Sequence, residues 1–74
     1  MSDINFEVVE DLGVIGPRGS WNLHLARVSW NGRKPKLELR TWDENMETPG
    51  KGVTISDDEA ELLMNMLKKE FEEE

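Results

Sequence analysis

A chain of 74 residues with no cysteine and one histidine has room for one small domain, 1–74, and cannot form a disulfide, a thiolate nucleophile or a sulfur-ligated zinc site. Sixteen acidic against nine basic residues give a net charge of −7, which taken as a total argues against a nucleic-acid partner. No apolar run approaches the roughly 18 residues of a membrane span, and MSDINFEVVED lacks a signal-peptide layout, so the expected compartment is the cytoplasm, with or without association with the nucleoid.

Residues 4–15 (INFEVVEDLGVI) are β-branched and aromatic with partial alternation, and predict a first strand. Gly16-Pro17-Arg18-Gly19-Ser20 has turn chemistry. Strands over 21–30 and about 34–42 flank Asn31-Gly32, the pair preferred in a type I′ hairpin because both central residues take φ > 0. Pro35 cannot donate to a ladder and belongs at a strand start or an edge. A polar loop over 43–50 leads to a short fourth strand, 52–55.

The helix that follows is announced by a capping box, Ser56-Asp57-Asp58-Glu59, whose acids also suit the positive end of the helix dipole. Ala60, Leu63, Leu67 and Phe71 recur at helical spacing with Met64 beside them, and Leu62 and Met66 widen the stripe beyond what one sheet face needs. A small protein without disulfide or metal is commonly supported by a partner subunit, so Leu62, Met66 and Leu67 are read as a dimer seam. The expected fold is α+β: a curved four-stranded antiparallel sheet followed by one helix, β-β-β-β-α, as a homodimer with a short acidic tail at 72–74.

Divided along the chain, the charge reads differently. Residues 1–17 hold four acids and no base, and residues 53–74 hold eight acids against Lys68 and Lys69. Between them, residues 18–42 carry Arg18, Arg27, Arg33, Lys34, Lys36 and Arg40 against Glu38 alone, together with Trp21, Trp30 and Trp42. A hairpin turning on Asn31-Gly32 pairs residues whose numbers sum to an odd value. That register puts His24, Ala26, Val28 and Trp30 with Pro35, Leu37 and Leu39 on an apolar face expected to meet the helix. It puts Trp21, Leu23, Leu25 and Arg27 with Lys34, Lys36, Glu38, Arg40 and Trp42 on the other. Cations beside indoles suit a single strand, whose phosphates need Lys or Arg and whose exposed bases gain about 1–3 kcal/mol each by stacking. The plainer alternative is a solvated outer face with the tryptophans filling a core.

Val28-Ser29-Trp30-Asn31, Pro35-Lys36, Leu39-Arg40-Thr41-Trp42 and Gly50-Lys51-Gly52-Val53-Thr54 before an acidic helix start together resemble the positive cofactor four family. The likeness is greatest to its small bacterial branch, the YdbC-like proteins, and runs from about Phe6 to Leu67. The resemblance implies a homodimer of a β-β-β-β-α unit that binds single-stranded DNA with little sequence preference, in transcription or genome maintenance. It implies that Arg40 meets phosphate and Trp42 a base, and that Lys51, Lys36 and Arg27 match family bases. Trp21 matches a tryptophan of the bacterial branch, and Trp30 lies where the family places a stacking aromatic. With Lys34, these are the candidate nucleic-acid contacts. Asn22-Leu23-His24 departs from the charged residues usual in that branch.

Other chemistry finds little support in the residues. Gly50-Lys51-Gly52 lacks the spacing and the following Ser or Thr of a phosphate-binding loop. Asp57, Asp58, Glu59 and Glu61 are explained by capping and solvation, and His24 has no nucleophile placed beside it, so no enzyme, metal or cofactor is expected. The expected function is single-stranded DNA binding, with RNA left open. The alternative is an interaction module that docks a transcription or replication partner through the acidic helix.

Overall fold

The computed structural model describes residues 5–72; the expected start of the first strand at Ile4 and the tail residues Glu73 and Glu74 lie outside them. Four strands, β1 (Phe6–Arg18), β2 (Trp21–Trp30), β3 (Lys36–Trp42) and β4 (Pro49–Ile55), form one antiparallel sheet in sequence order, and α1 (Asp57–Phe71) follows. Among the described residues no helix is long and apolar enough to cross a membrane.

β1 outruns its expected end because the chain turns only at Gly19-Ser20, pairing Arg18 with Trp21. Gly19 has φ 67°, as a tight turn with glycine at its first central position requires. Pro17 is accommodated because β1 is an edge strand, where a missing N–H costs no ladder bond on the outer side. The register of β1 on β2 slips three times, after Val8, Asp11 and Val14, leaving Val9, Leu12 and Ile15 outside the pairing and exposed. Repeated bulges bend and twist an edge, which also makes it a poor template for a further strand.

The β2–β3 hairpin corrects the expected faces. Asn31 (φ 54°) and Gly32 (φ 75°) form the tight turn, closed by the Arg33 N–H donating to the Trp30 carbonyl at 2.9 Å. The ladder nevertheless pairs Val28 with Lys36, Ala26 with Glu38 and His24 with Arg40, so partner numbers sum to an even value. One residue more than the turn needs is taken up over Arg33–Pro35. Pro35 has no N–H to offer the ladder, and the Ser29 hydroxyl donates to the Arg33 carbonyl at 2.6 Å. A one-residue slip exchanges every side chain of a strand between faces.

The first face therefore carries His24, Ala26, Val28 and Trp30 with Lys36, Glu38, Arg40 and Trp42, and the second carries Trp21, Leu23, Leu25 and Arg27 with Leu37, Leu39 and Thr41. On the first face Ala26, Val28 and Trp42 form the buried core, closed by Phe6, Val8, Trp30 and Met46. This face packs on residues from β1 and the 43–48 loop rather than on the helix. His24 is buried there and its Nδ1 donates to Asp11 Oδ1 at 3.1 Å, tying β2 to β1.

The helix lies on the side of the second face. Its capping box forms as expected, Glu59 N–H donating to Ser56 Oγ at 3.1 Å and Ser56 N–H to Glu59 Oε1 at 2.9 Å. Arg27 Nη1 meets Asp57 Oδ1 at 3.1 Å, tying the first turn to β2. Beyond that turn Ala60, Leu63, Met64, Leu67 and Phe71 look across an open cavity of about 690 Å³ toward Leu25, and no helix residue is buried.

Candidate nucleic-acid interface

Trp30 ends β2 on the first face, where the register sets it beside β3 residues of even number. Phe6 packs against its ring with centroids 5.4 Å apart, and Phe6 stands equally far from Trp42. The Arg40 guanidinium lies over the Trp30 ring, its Cζ 5.1 Å from the centroid, within reach of a cation–π contact. Beneath them sits Glu38, 1% exposed. Its carboxylate accepts from Trp30 Nε1, from Thr54 Oγ1 at 2.9 Å and from Arg40 Nε at 2.6 Å. Arg40 Nη1 donates in turn to the Gly50 carbonyl at 2.8 Å. A buried carboxylate is tolerable only when paired and hydrogen-bonded, and this one has three donors. Among the described residues no buried side-chain polar atom lacks a partner.

Two open pockets share Trp30 and Thr54. One, about 320 Å³, is lined by Val28, Trp30, Arg33, Lys34, Lys36 and Thr54. The other, about 540 Å³, is lined by Trp30, Asn31, Arg40, Pro49, Gly50 and Thr54. The first gathers three cations without a carboxylate. In the second the single cation, Arg40, is neutralised from below by Glu38.

The structure thus brings together Trp30, Lys34, Lys36 and Arg40, and places the remaining sequence candidates elsewhere. Trp42, 1% exposed, is a core residue and presents no ring face to solvent. Trp21 lies on the second face and packs on Gly50 and Thr41, so closely that a Cβ on Gly50 would stand 2.7 Å from its ring and clash with Thr41 Oγ1. Arg27 is on the second face and engaged with Asp57. Lys51 is exposed on β4; the glycines around it serve close packing of β4 on β3, since a Cβ on Gly52 would meet Leu39 O at 2.6 Å. Leu62, Met66 and Leu67 are exposed on the helix.

Arg33, Glu38, Phe6 and Thr54 belong to the site and were not among the sequence candidates. Arg33 could have been found in the run Arg33-Lys34-Pro35-Lys36. Glu38 is the lone acid of residues 18–42, and its isolation among bases is the one signal that it is paired. Among the described residues no group of three or more His, Cys, Asp or Glu could hold a metal ion.

No protein-family model matches the chain. It is 36% identical over 66 residues to an uncharacterized protein of Treponema pallidum (strain Nichols), an alignment covering 88% of this chain and 78% of that protein. The chain belongs to the same family as that protein.

Proposed function

We propose that the chain binds single-stranded nucleic acid, with DNA the expected strand, through the Trp30 region of the first sheet face. The observation that carries this reading is the gathering of Arg33, Lys34 and Lys36 around one pocket beside an indole, in a chain whose net charge is −7. Exposed cations are solvated and screened and stand together at little cost; what marks these three is their position beside an aromatic ring, and a phosphate next to a base is the ligand that uses both features. Asp57 and Asp58 of the first helical turn border Lys34 and Lys36 across a separate pocket of about 230 Å³, and their charge bounds the cationic patch on that side. The likeness of the chain's motifs to the positive cofactor four family, which is linked to transcription or genome maintenance, supports the same reading; the compartment proposed for this activity is the cytoplasm.

The working unit in this proposal is a homodimer. Leu62, Met66 and Leu67 are exposed on a helix that buries none of its residues, which leaves an apolar stripe for a second copy. The acidic first turn (Asp57, Asp58, Glu59) and basic last turn (Lys68, Lys69) favour an antiparallel pairing of two such helices. Fluorescence anisotropy of a labelled oligo-dT against a duplex of equal length, at two salt concentrations, tests the reading. Tight binding of the single strand with weak duplex binding supports it. Absence of single-strand binding at low salt overturns it and directs attention to docking of a protein partner on the helix.

A further inference from the structure

The two pockets that share Trp30 differ in charge, and the difference assigns them different parts of a nucleotide. In the pocket between Trp30, Arg40 and the Pro49–Gly50 segment, Arg40 has committed Nε to Glu38 and Nη1 to the Gly50 carbonyl. Its charge is compensated by a carboxylate with no exposed surface, and 17% of its side chain remains accessible. A guanidinium held in this way is a poor counter-ion for phosphate. It is a flat, rigid surface on which a neutral aromatic ring can stack. The remaining lining suits such a ring: the Pro49 side chain, the small Gly50, and the amide of Asn31 with the hydroxyl oxygen of Thr54 as hydrogen-bonding groups. Thr54 gives its hydroxyl proton to Glu38, so toward the pocket it can only accept.

We propose that this pocket is a nucleobase subsite, with Arg40 as its stacking platform and Glu38 as the positioning residue that fixes both Arg40 and the Trp30 indole. The neighbouring Arg33, Lys34 and Lys36 pocket takes the adjoining phosphate. This rests on the single-strand reading above and assigns Arg40 to the base, where the family resemblance alone implies phosphate.

The experiment compares an oligo-dT of about 20 nucleotides, longer than the roughly 4–16-nucleotide footprint of a small single-strand-binding fold, with the same strand carrying abasic units. Anisotropy titrations across a salt series are run on the full chain, its Arg40→Lys variant and its Lys36→Gln variant. Arg40→Lys keeps the charge and a partner for Glu38, and loses the planar platform. The expected results are a wild-type preference for dT over the abasic strand of about tenfold, the scale of one stacked base, and a fall of that preference severalfold in Arg40→Lys with the salt slope unchanged. Lys36→Gln is expected to keep the preference and to lower the log–log salt slope by about 0.7, the value for one phosphate on a single strand. A preference that survives Arg40→Lys, or a wild type that binds dT and the abasic strand equally, overturns the base subsite while leaving single-strand binding in place. A wild type that binds neither strand overturns the single-strand reading itself.

Discussion

Glu38 and Arg40, two residues apart on β3 and on the same face, form a pair in which Nε stands 2.6 Å from Oε1 and the carboxylate is wholly enclosed. The other oxygen, Oε2, ties Trp30 of β2 and Thr54 of β4 to the same group. One side chain therefore links three neighbouring strands at the point where the candidate site lies. Truncating one partner of a buried, hydrogen-bonded ion pair costs about 3–5 kcal/mol, because the other charge is left without compensation. Glu38→Ala is expected to lower stability by that amount in urea unfolding, enough to unfold much of so small a domain. Glu38→Gln retains an acceptor for Trp30 and Thr54 and is expected to cost less. Equal losses for the two variants would show that the charge, and not the acceptor, holds the strands together.

Affinity for single strands should follow the exposed lysines of the hairpin. Lys34→Glu with Lys36→Glu puts two like charges where the proposal places phosphate, in side chains that take part in no core contact. Loss of oligo-dT binding with an unchanged far-ultraviolet circular dichroism spectrum is the expected outcome. Binding that persists at moderate salt would count against this face.

Much of the fold was legible because local chemistry and global fold agree. Ser56 and Glu59 specify the helix start by reciprocal bonds, and Asn31-Gly32 specifies the turn by its backbone preference. The face assignment was not legible, because it depends on whether the hairpin closes with an even or an odd number of residues between paired positions. Arg33–Pro35 decide that through an absent N–H and a Ser29 side-chain bond, neither of which alters the alternation of the flanking strands. The same slip took Arg40 and Trp42 from an outer face to the inner one, where Trp42 fills the core and Arg40 lies against Glu38. Lys34, Lys36 and Trp30 were each named from the sequence, but the expected register put Trp30 on the face opposite the lysines, and it is the slip that brings them onto one face. Phe6 and Thr54, brought in by β1 and β4, carry no mark of the site in the sequence.

The Gly-Lys-Gly segment is explained by packing, and its glycines should be intolerant of any side chain. A Cβ on Gly52 meets backbone, Leu39 O at 2.6 Å and Arg40 Cα at 2.7 Å, whereas on Gly50 it meets the Thr41 hydroxyl and the Trp21 ring. Overpacking of this kind costs about 1–3 kcal/mol. Gly52→Ala is expected at the upper end, since backbone cannot turn aside as a side chain can. Thermal unfolding of the two variants checks the order, and a Gly52→Ala protein as stable as the parent would refute it.

The loop from Asp43 to Thr48 carries a pH dependence whose sign can be stated. Asp43 Oδ1 accepts from the Glu47 N–H at 2.7 Å and the Thr48 N–H at 3.0 Å. The Thr48 backbone bond foremost holds its carboxyl below the usual carboxylate value. A group whose pKa is lowered by folding contributes its stabilisation in full above the unfolded value, about 3.9 for Asp, and loses it as pH falls through the folded value. Protection of the Glu47 and Thr48 amides from exchange should therefore hold at neutral pH and fail in acid, and Asp43→Asn should flatten that dependence. Identical pH profiles for parent and variant would place the acid sensitivity elsewhere.

The helix supplies a test that separates folding from assembly. Leu67 is 48% exposed and lines the open cavity facing Leu25, and Met66 is 65% exposed. Substitutions at exposed positions usually change stability by less than about 0.5 kcal/mol. If the apolar stripe is covered by a second copy, Leu67→Glu and Met66→Glu place a charge in a seam that excludes water and abolish the dimer, while circular dichroism of the resulting monomer keeps its helix and sheet. Sedimentation equilibrium reads the outcome directly. A parent that is monomeric at high concentration would overturn the seam, and a variant that remains dimeric would move it off this helix. Binding of oligo-dT by the monomeric variant, measured alongside, decides whether each sheet surface holds its strand alone. Affinity lost together with the dimer would mean that one strand is shared between two copies, since the substituted positions lie on the helix and not among the residues around Trp30.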